Sequence, residues 1–135
     1  MVSDESDGEL LPRGGYVKHV KTGHHGDVTV ITPKGYLVGG AETDEFQQTL
    51  STLGTQGALK LVINLIETDH MNSTALGVLN AARADYAKRG ARIRLCHLND
   101  RIQNSLVITR LGLEFDVYRN EREAVESFAE TGATG

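Results

Sequence analysis

The chain has 135 residues and a mass of 14.7 kDa, which is room for one domain and not for a second core of comparable size. Its single cysteine, Cys96, excludes an intramolecular disulfide and points to a reducing compartment, and Cys and His at ligand spacing are too few for a structural zinc site. A net charge of −4 and a pI near 5.7 disfavour a nucleic-acid-backbone binder, no apolar run approaches the roughly 20 residues of a membrane helix, and the acidic start MVSDESDGEL is unlike a secretory signal, so a cytoplasmic protein without membrane insertion is expected.

Residues 1–14 are polar and acidic and read as a flexible leader, residues 15–130 as the domain, and residues 131–135 (TGATG) as a flexible tail. The domain opens with Tyr16–Val20 and Asp27–Thr32, both rich in β-branched residues, flanking a hairpin loop Thr22–Gly26. Gly35–Val38 is a short third strand or a continuation of the second past Pro33. Gly39-Gly40 breaks the chain before a helix with Phe46, Leu50 and Leu53 on one face and Glu42, Asp44 and Glu45 in its first turn, ended by Gly54 or Gly57. Leu61–Ile66 is almost wholly apolar, the pattern of a central strand covered on both faces. A second helix is predicted over 74–89, with Leu76, Leu79, Ala82 and Tyr86 inward and Gly90 as its stop. Arg92–His97 alternates like a strand, with Arg92 and Arg94 on a solvated face. Helix three covers 100–110, with Ile102, Leu106 and Ile108 inward and Gly112 as its stop. Phe115–Tyr118 is the last strand, and Asn120-Glu121-Arg122-Glu123 resembles a capping box opening a helix whose apolar residues are Val125, Phe128 and Ala129. Helix-linked strands run parallel through right-handed crossovers. The expected fold is therefore α/β: a single mixed sheet of four to five strands with about four helices, an opening β-hairpin and then alternating α and β.

In an open α/β sheet, function collects where a strand's carboxyl end meets a helix N-terminus. Here that junction carries Asn72, Ser73 and Thr74, three consecutive helix-capping side chains, followed by small Ala75 and Gly77. One of the three suffices as an N-cap, worth about 1 kcal/mol, and the rest leave a hydroxyl spare. Gly77 sits inside a helix, where it costs about 1 kcal/mol relative to Ala, which suggests a close approach by another backbone or a partner. The residues themselves leave both capping alone and a functional hydroxyl open.

The stretch Met71-Asn72-Ser73-Thr74-Ala75-Leu76-Gly77-Val78-Leu79 resembles the M-D-S-[ST]-G-L-G-V-[LIF] signature of bacterial anti-sigma factor antagonists in the STAS domain family. The turn Gly35-x-Leu37, the run Lys88–Leu95 and the segment Ile108–Leu113 are similar to three further family blocks, in the family's order. The resemblance implies a non-enzymatic partner switch without cofactor or metal. The unmodified domain would bind an anti-sigma factor of the GHKL serine kinase type and free a sigma factor; phosphorylation at Ser73 (alternatively Thr74) would end binding, and a metal-dependent serine phosphatase would reverse it. The implied partner surface is Val38, Gly39, Gly40, Asn72, Ser73, Thr74, Ala75, Leu76 and Val78, with Asn80 and Ala81 as further exposed candidates on the helix. The chain departs from the signature at Asn72, where the family has Asp, at Ala75, where it has Gly, and at Val38, where relatives often carry Asp.

The competing readings are a non-phosphorylated STAS adaptor or scaffold subunit, of the transporter-accessory or stressosome type, and a hydrolase built on Ser73 with His70 and Asp69. No G-x-S-x-G elbow accompanies the latter, and neither G-x-x-x-x-G-K-[ST] nor G-x-G-x-x-G is present for nucleotide binding. His24-His25 fall in the expected hairpin loop, and Cys96, beside Arg92 and Arg94, is either an inert small side chain or a thiol activated by nearby cations.

Overall fold

The computed structural model describes residues 19–134. The leader and the expected strand residues Tyr16, Val17 and Lys18 lie outside the described residues. In chain order the elements are β1 (Val20–His25), β2 (Val28–Pro33), β3 (Gly35–Leu37), α1 (Ala41–Thr55), β4 (Lys60–Asn64), β5 (Thr68–Met71), α2 (Ser73–Lys88), β6 (Arg92–Cys96), α3 (Asp100–Thr109), a 3-10 turn (Leu111–Leu113), β7 (Asp116–Tyr118) and α4 (Glu121–Thr134).

Five strands form one mixed sheet in the order β1-β2-β4-β6-β7, antiparallel only at the opening hairpin. The continuous apolar run of β4 places it at the centre, as expected. Its pleat sends Leu61 and Ile63 to one face, among Phe46 and Leu50 of α1, Leu76, Leu79 and Tyr86 of α2 and Ile102 and Leu106 of α3. Val62 points to the other face, with Val28, Val30, Cys96, Ala124 and Phe128 beneath α4. The domain is thus a sheet between a helical layer of α1, α2 and α3 and a single covering helix, α4.

Several boundaries differ from expectation, each for a physical reason. The hairpin closes on Gly26-Asp27, with His25 opposite Val28, so Thr22 to His25 belong to β1 and not to a loop. Gly26 at φ +62° supplies the left-handed backbone such a tight turn requires. α3 ends where Arg110 turns left-handed (φ +65°), two residues before Gly112, and Ile108 is 80% exposed instead of inward. In α4 the inward residues are Ala124, Ser127 and Phe128, while Ala129 is exposed; the helix continues to Thr134, through most of the segment read as a tail. Asn120 does open it, Oδ1 accepting from the Glu123 amide at 2.9 Å, but the Glu123 carboxylate turns to Arg119.

A second, two-stranded sheet was not anticipated. β3 and β5 pair in parallel, Leu37 opposite Met71, beside the main sheet. Each of these short strands leads directly into a helix, β3 into α1 and β5 into α2. The pairing therefore sets the N-termini of α1 and α2 side by side.

Candidate functional site

The site is the strip where those two helices begin. The Asn72 amide donates to the Leu37 carbonyl at 3.0 Å, tying the start of α2 to the end of β3. Beyond Leu37 the chain passes through Val38, Gly39 and Gly40, all exposed, with Val38 at 47%. The Gly39 amide donates to Thr43 Oγ1 at 2.9 Å, which holds this loop against the first turn of α1. A Cβ built on Gly39 would lie 3.9 Å from the Thr74 methyl, so the loop and the α2 N-terminus are in contact range.

Asn72 is the N-cap of α2, its side-chain oxygen accepting from the Ala75 amide at 3.1 Å. That settles which of the three consecutive polar residues caps. Ser73 and Thr74, the next two residues, are exposed, and among the described residues neither hydroxyl makes a hydrogen bond. The Leu76 amide is taken by the Asn72 carbonyl. The first turn of α2 holds no acidic side chain, so the positive end of the helix dipole at Ser73 is not offset locally.

Two residues expected on the partner surface are not on the surface. Ala75 and Leu76 are buried in the main core, on the same stripe as Leu79. Val78 is half-buried against that core, and Asn80, also half-buried, accepts from Arg83. Ala81 is exposed. Gly77 is exposed as well, and a Cβ there would meet nothing within 4 Å. No internal close approach explains that glycine. It lies one turn beyond Ser73 on the same face.

The strip continues into a shallow groove of about 170 Å3 between α1 and α2, walled by Gln47 and Ser51 on one side and Val78, Ala81 and Asp85 on the other, with Tyr86 at its base. Gln47, Ser51 and Asp85 were not among the sequence candidates. Their signal was present as i, i+4 spacing on α1 and as i, i+4, i+8 spacing Gly77, Ala81, Asp85 on α2.

The polar residues singled out elsewhere disperse. Among the described residues the Ser73 hydroxyl and His70 do not hydrogen-bond to each other and His70 Nδ1 is buried without a partner, while Asp69 is exposed. His24 and His25 lie in β1, and His25 Nε2 meets the Glu121 carboxylate at 2.8 Å. His19 bonds Glu45, whose carboxylate also accepts from the His19 and Val20 amides. Arg94 is buried, not solvated: α4 covers its face, Phe128 lies 4.2 Å from its guanidinium and Asp116 3.5 Å away, whereas Arg92 at the strand start is exposed. Cys96 is fully buried, and burial, with a contribution from the Glu121 carboxylate, pushes its thiol up to about 12, opposite to activation. Among the described residues no cluster of three His, Cys, Asp or Glu could hold a metal ion, and no helix is long and apolar enough to cross a membrane.

Residues 19–124 match the family model of the STAS domain. The chain belongs to the STAS domain family. No curated protein sequence matches it. Among solved structures, this STAS domain resembles a candidate anti-sigma factor antagonist from Thermotoga maritima, which is 20% identical, with 79% of this chain and 92% of that one covered and a TM-score of 0.74. An anti-sigma factor antagonist from Mycobacterium paratuberculosis is 19% identical over 80% of this chain and 92% of its own, with a TM-score of 0.68. The Bacillus cell fate determinant SpoIIAA in its phosphorylated form is 18% identical over 81% of this chain and 98% of its own, with a TM-score of 0.65. At these identities the likeness is one of fold.

Proposed function

We propose that this STAS domain is an anti-sigma factor antagonist that acts in the cytoplasm as a partner switch. Unmodified, it binds an anti-sigma factor of the GHKL serine kinase type and frees a sigma factor. Phosphorylation of Ser73 ends that binding, and a metal-dependent serine phosphatase restores it. One observation carries the reading: Asn72 alone caps α2, so Ser73 presents an unengaged hydroxyl at an exposed helix N-terminus beside the exposed Val38–Gly40 loop. SpoIIAA, similar in fold, is known in both phosphorylated and unphosphorylated forms.

The physics of such a switch is local. A phosphate adds about −1.5 to −2 charges and three acceptor oxygens. At Ser73 it meets first-turn amides and the positive end of the α2 dipole, an arrangement that favours an anion and leaves the fold intact. The same charge and bulk stand on the strip where a partner would dock, between Val38–Gly40 and the Gly77–Ala81 face. Loss of about 1.4 kcal/mol of interface energy is already a tenfold loss of affinity.

The test is incubation with the cognate kinase and ATP, followed by intact-mass measurement and a binding assay. The expected result is one added phosphate, mapped to Ser73, with loss of kinase binding; Ser73→Ala should gain no phosphate and stay bound. A Ser73→Ala variant that still dissociates on ATP treatment refutes the assignment. Asn72, which stands where the family signature has Asp, favours a second reading as a non-phosphorylated adaptor, and absence of any added phosphate would select it.

A further inference from the structure

The carboxyl ends of β4, β6 and β7 form an open cavity of about 640 Å3 at the main sheet, separate from the α1–α2 strip. This is the crevice position of open α/β sheets, and the volume falls in the range of about 300–1,000 Å3 typical of small-molecule sites. Its apolar wall is Leu65, Ile66, Leu98 and Val117. Ile66 is 60% exposed and Val117 41%, so apolar surface faces the space without being consumed by the core. Ile66 is held there because its amide donates to Asn64 Oδ1 at 3.0 Å, fixing the turn after β4.

The lining carries basic side chains, His97 and Arg119, and among the described residues no acidic one. The neighbouring carboxylates are occupied: Glu121 by Asn64 and His25, and Glu123 by Arg119 Nε and Nη2, which leaves Nη1 of Arg119 uncommitted among the described residues. His97 also has a left-handed backbone (φ +58°), unusual for a non-glycine residue and characteristic of places where a chain is bent for function. That bend occurs directly after β6, where the His97 amide reaches the Tyr118 carbonyl, and it carries the imidazole to the cavity.

We infer that this cavity binds a small amphipathic monocarboxylate, its hydrocarbon body against Ile66, Leu98 and Val117 and its carboxylate between Arg119 and His97. The inference goes beyond the switch at Ser73, and its failure would leave that reading untouched.

Octanoate is the probe, with 1-octanol and acetate as controls for body without charge and charge without body. Amide resonances of the full chain are followed by 1H–15N spectra during titration. Octanoate should produce saturable shifts at Ile66, His97, Leu98, Val117 and Arg119, and both controls should bind about tenfold more weakly or not at all. Arg119→Ala and Ile66→Asp, both substitutions at exposed positions, should each weaken octanoate about tenfold while the thermal midpoint stays unchanged. The proposal is overturned if octanoate gives no saturable shifts, if 1-octanol binds equally well, if the shifts map to the α1–α2 groove, or if the two folded variants bind as the parent does.

Discussion

Replacing Gly77 by alanine separates what the helix wants from what a docking surface wants. Gly77 lies within the sixteen-residue α2, is exposed, and has nothing within 4 Å of a built Cβ, so the added methyl meets no steric opposition. Alanine removes the excess backbone freedom of glycine in the unfolded chain, which stabilises a helix interior by about 0.5–1 kcal/mol. For a domain of this size that raises the melting midpoint by about 2–5 °C. The methyl, however, stands one turn from Ser73 on the face proposed to meet the kinase. The expected result is opposite signs from one substitution: a higher midpoint by calorimetry or circular dichroism, and weaker kinase binding by calorimetric titration. A lower melting midpoint would refute the helix geometry at this position. A higher midpoint with unchanged kinase affinity would remove Gly77 from the partner surface.

Three further outcomes can be checked. Asn72→Ala should lower stability by about 1 kcal/mol, read from urea unfolding, because the Ala75 amide loses its acceptor, whereas Asn72→Asp should keep the cap and gain about 0.3–1 kcal/mol from the helix dipole. The Glu121 carboxyl is held below its ordinary value of 4.5, chiefly by the hydrogen bond from Asn64 and then by His25; being depressed in the folded state, it contributes stability above about pH 4.5 that is lost as the pH falls further, so Glu121→Gln should flatten the acid limb of the stability–pH curve, and an unchanged acid limb would refute the pairing. Cys96 should react with iodoacetamide at pH 8 only as fast as the domain unfolds, and rapid stoichiometric labelling of the native protein would contradict its burial.

The main sheet and the helix N-terminus were legible because their signals are local. β4 is a continuous apolar run, α2 follows a capping residue and ends at Gly90, and each reads from neighbouring residues alone. The β3–β5 pair was not legible because Thr68-Asp69-His70-Met71 carries neither alternation nor β-branched enrichment; it extends because β3 lies beside it. The burial of Arg94 was hidden for a similar reason. Its strand alternates as if one face were wet, and only the packing of α4, a distant segment, closes that face around Phe128. Ala75 and Leu76 were placed on the partner surface through membership of the signature, yet they stand four and three residues before inward Leu79, so helical spacing alone assigns them to the core. A motif names residues that vary little together, and some of those hold the helix down while others face outward.

The small β3–β5 ledge has a consequence for how recognition can diverge. Among the described residues β3 pairs only with β5, and it hands directly to the three exposed residues Val38, Gly39 and Gly40, which carry no part of either apolar cluster. Sequence can drift in that short span while the central scaffold stays as it is. On the proposed reading, a handful of side chains beside Ser73 would then suffice to fit one kinase and turn away another.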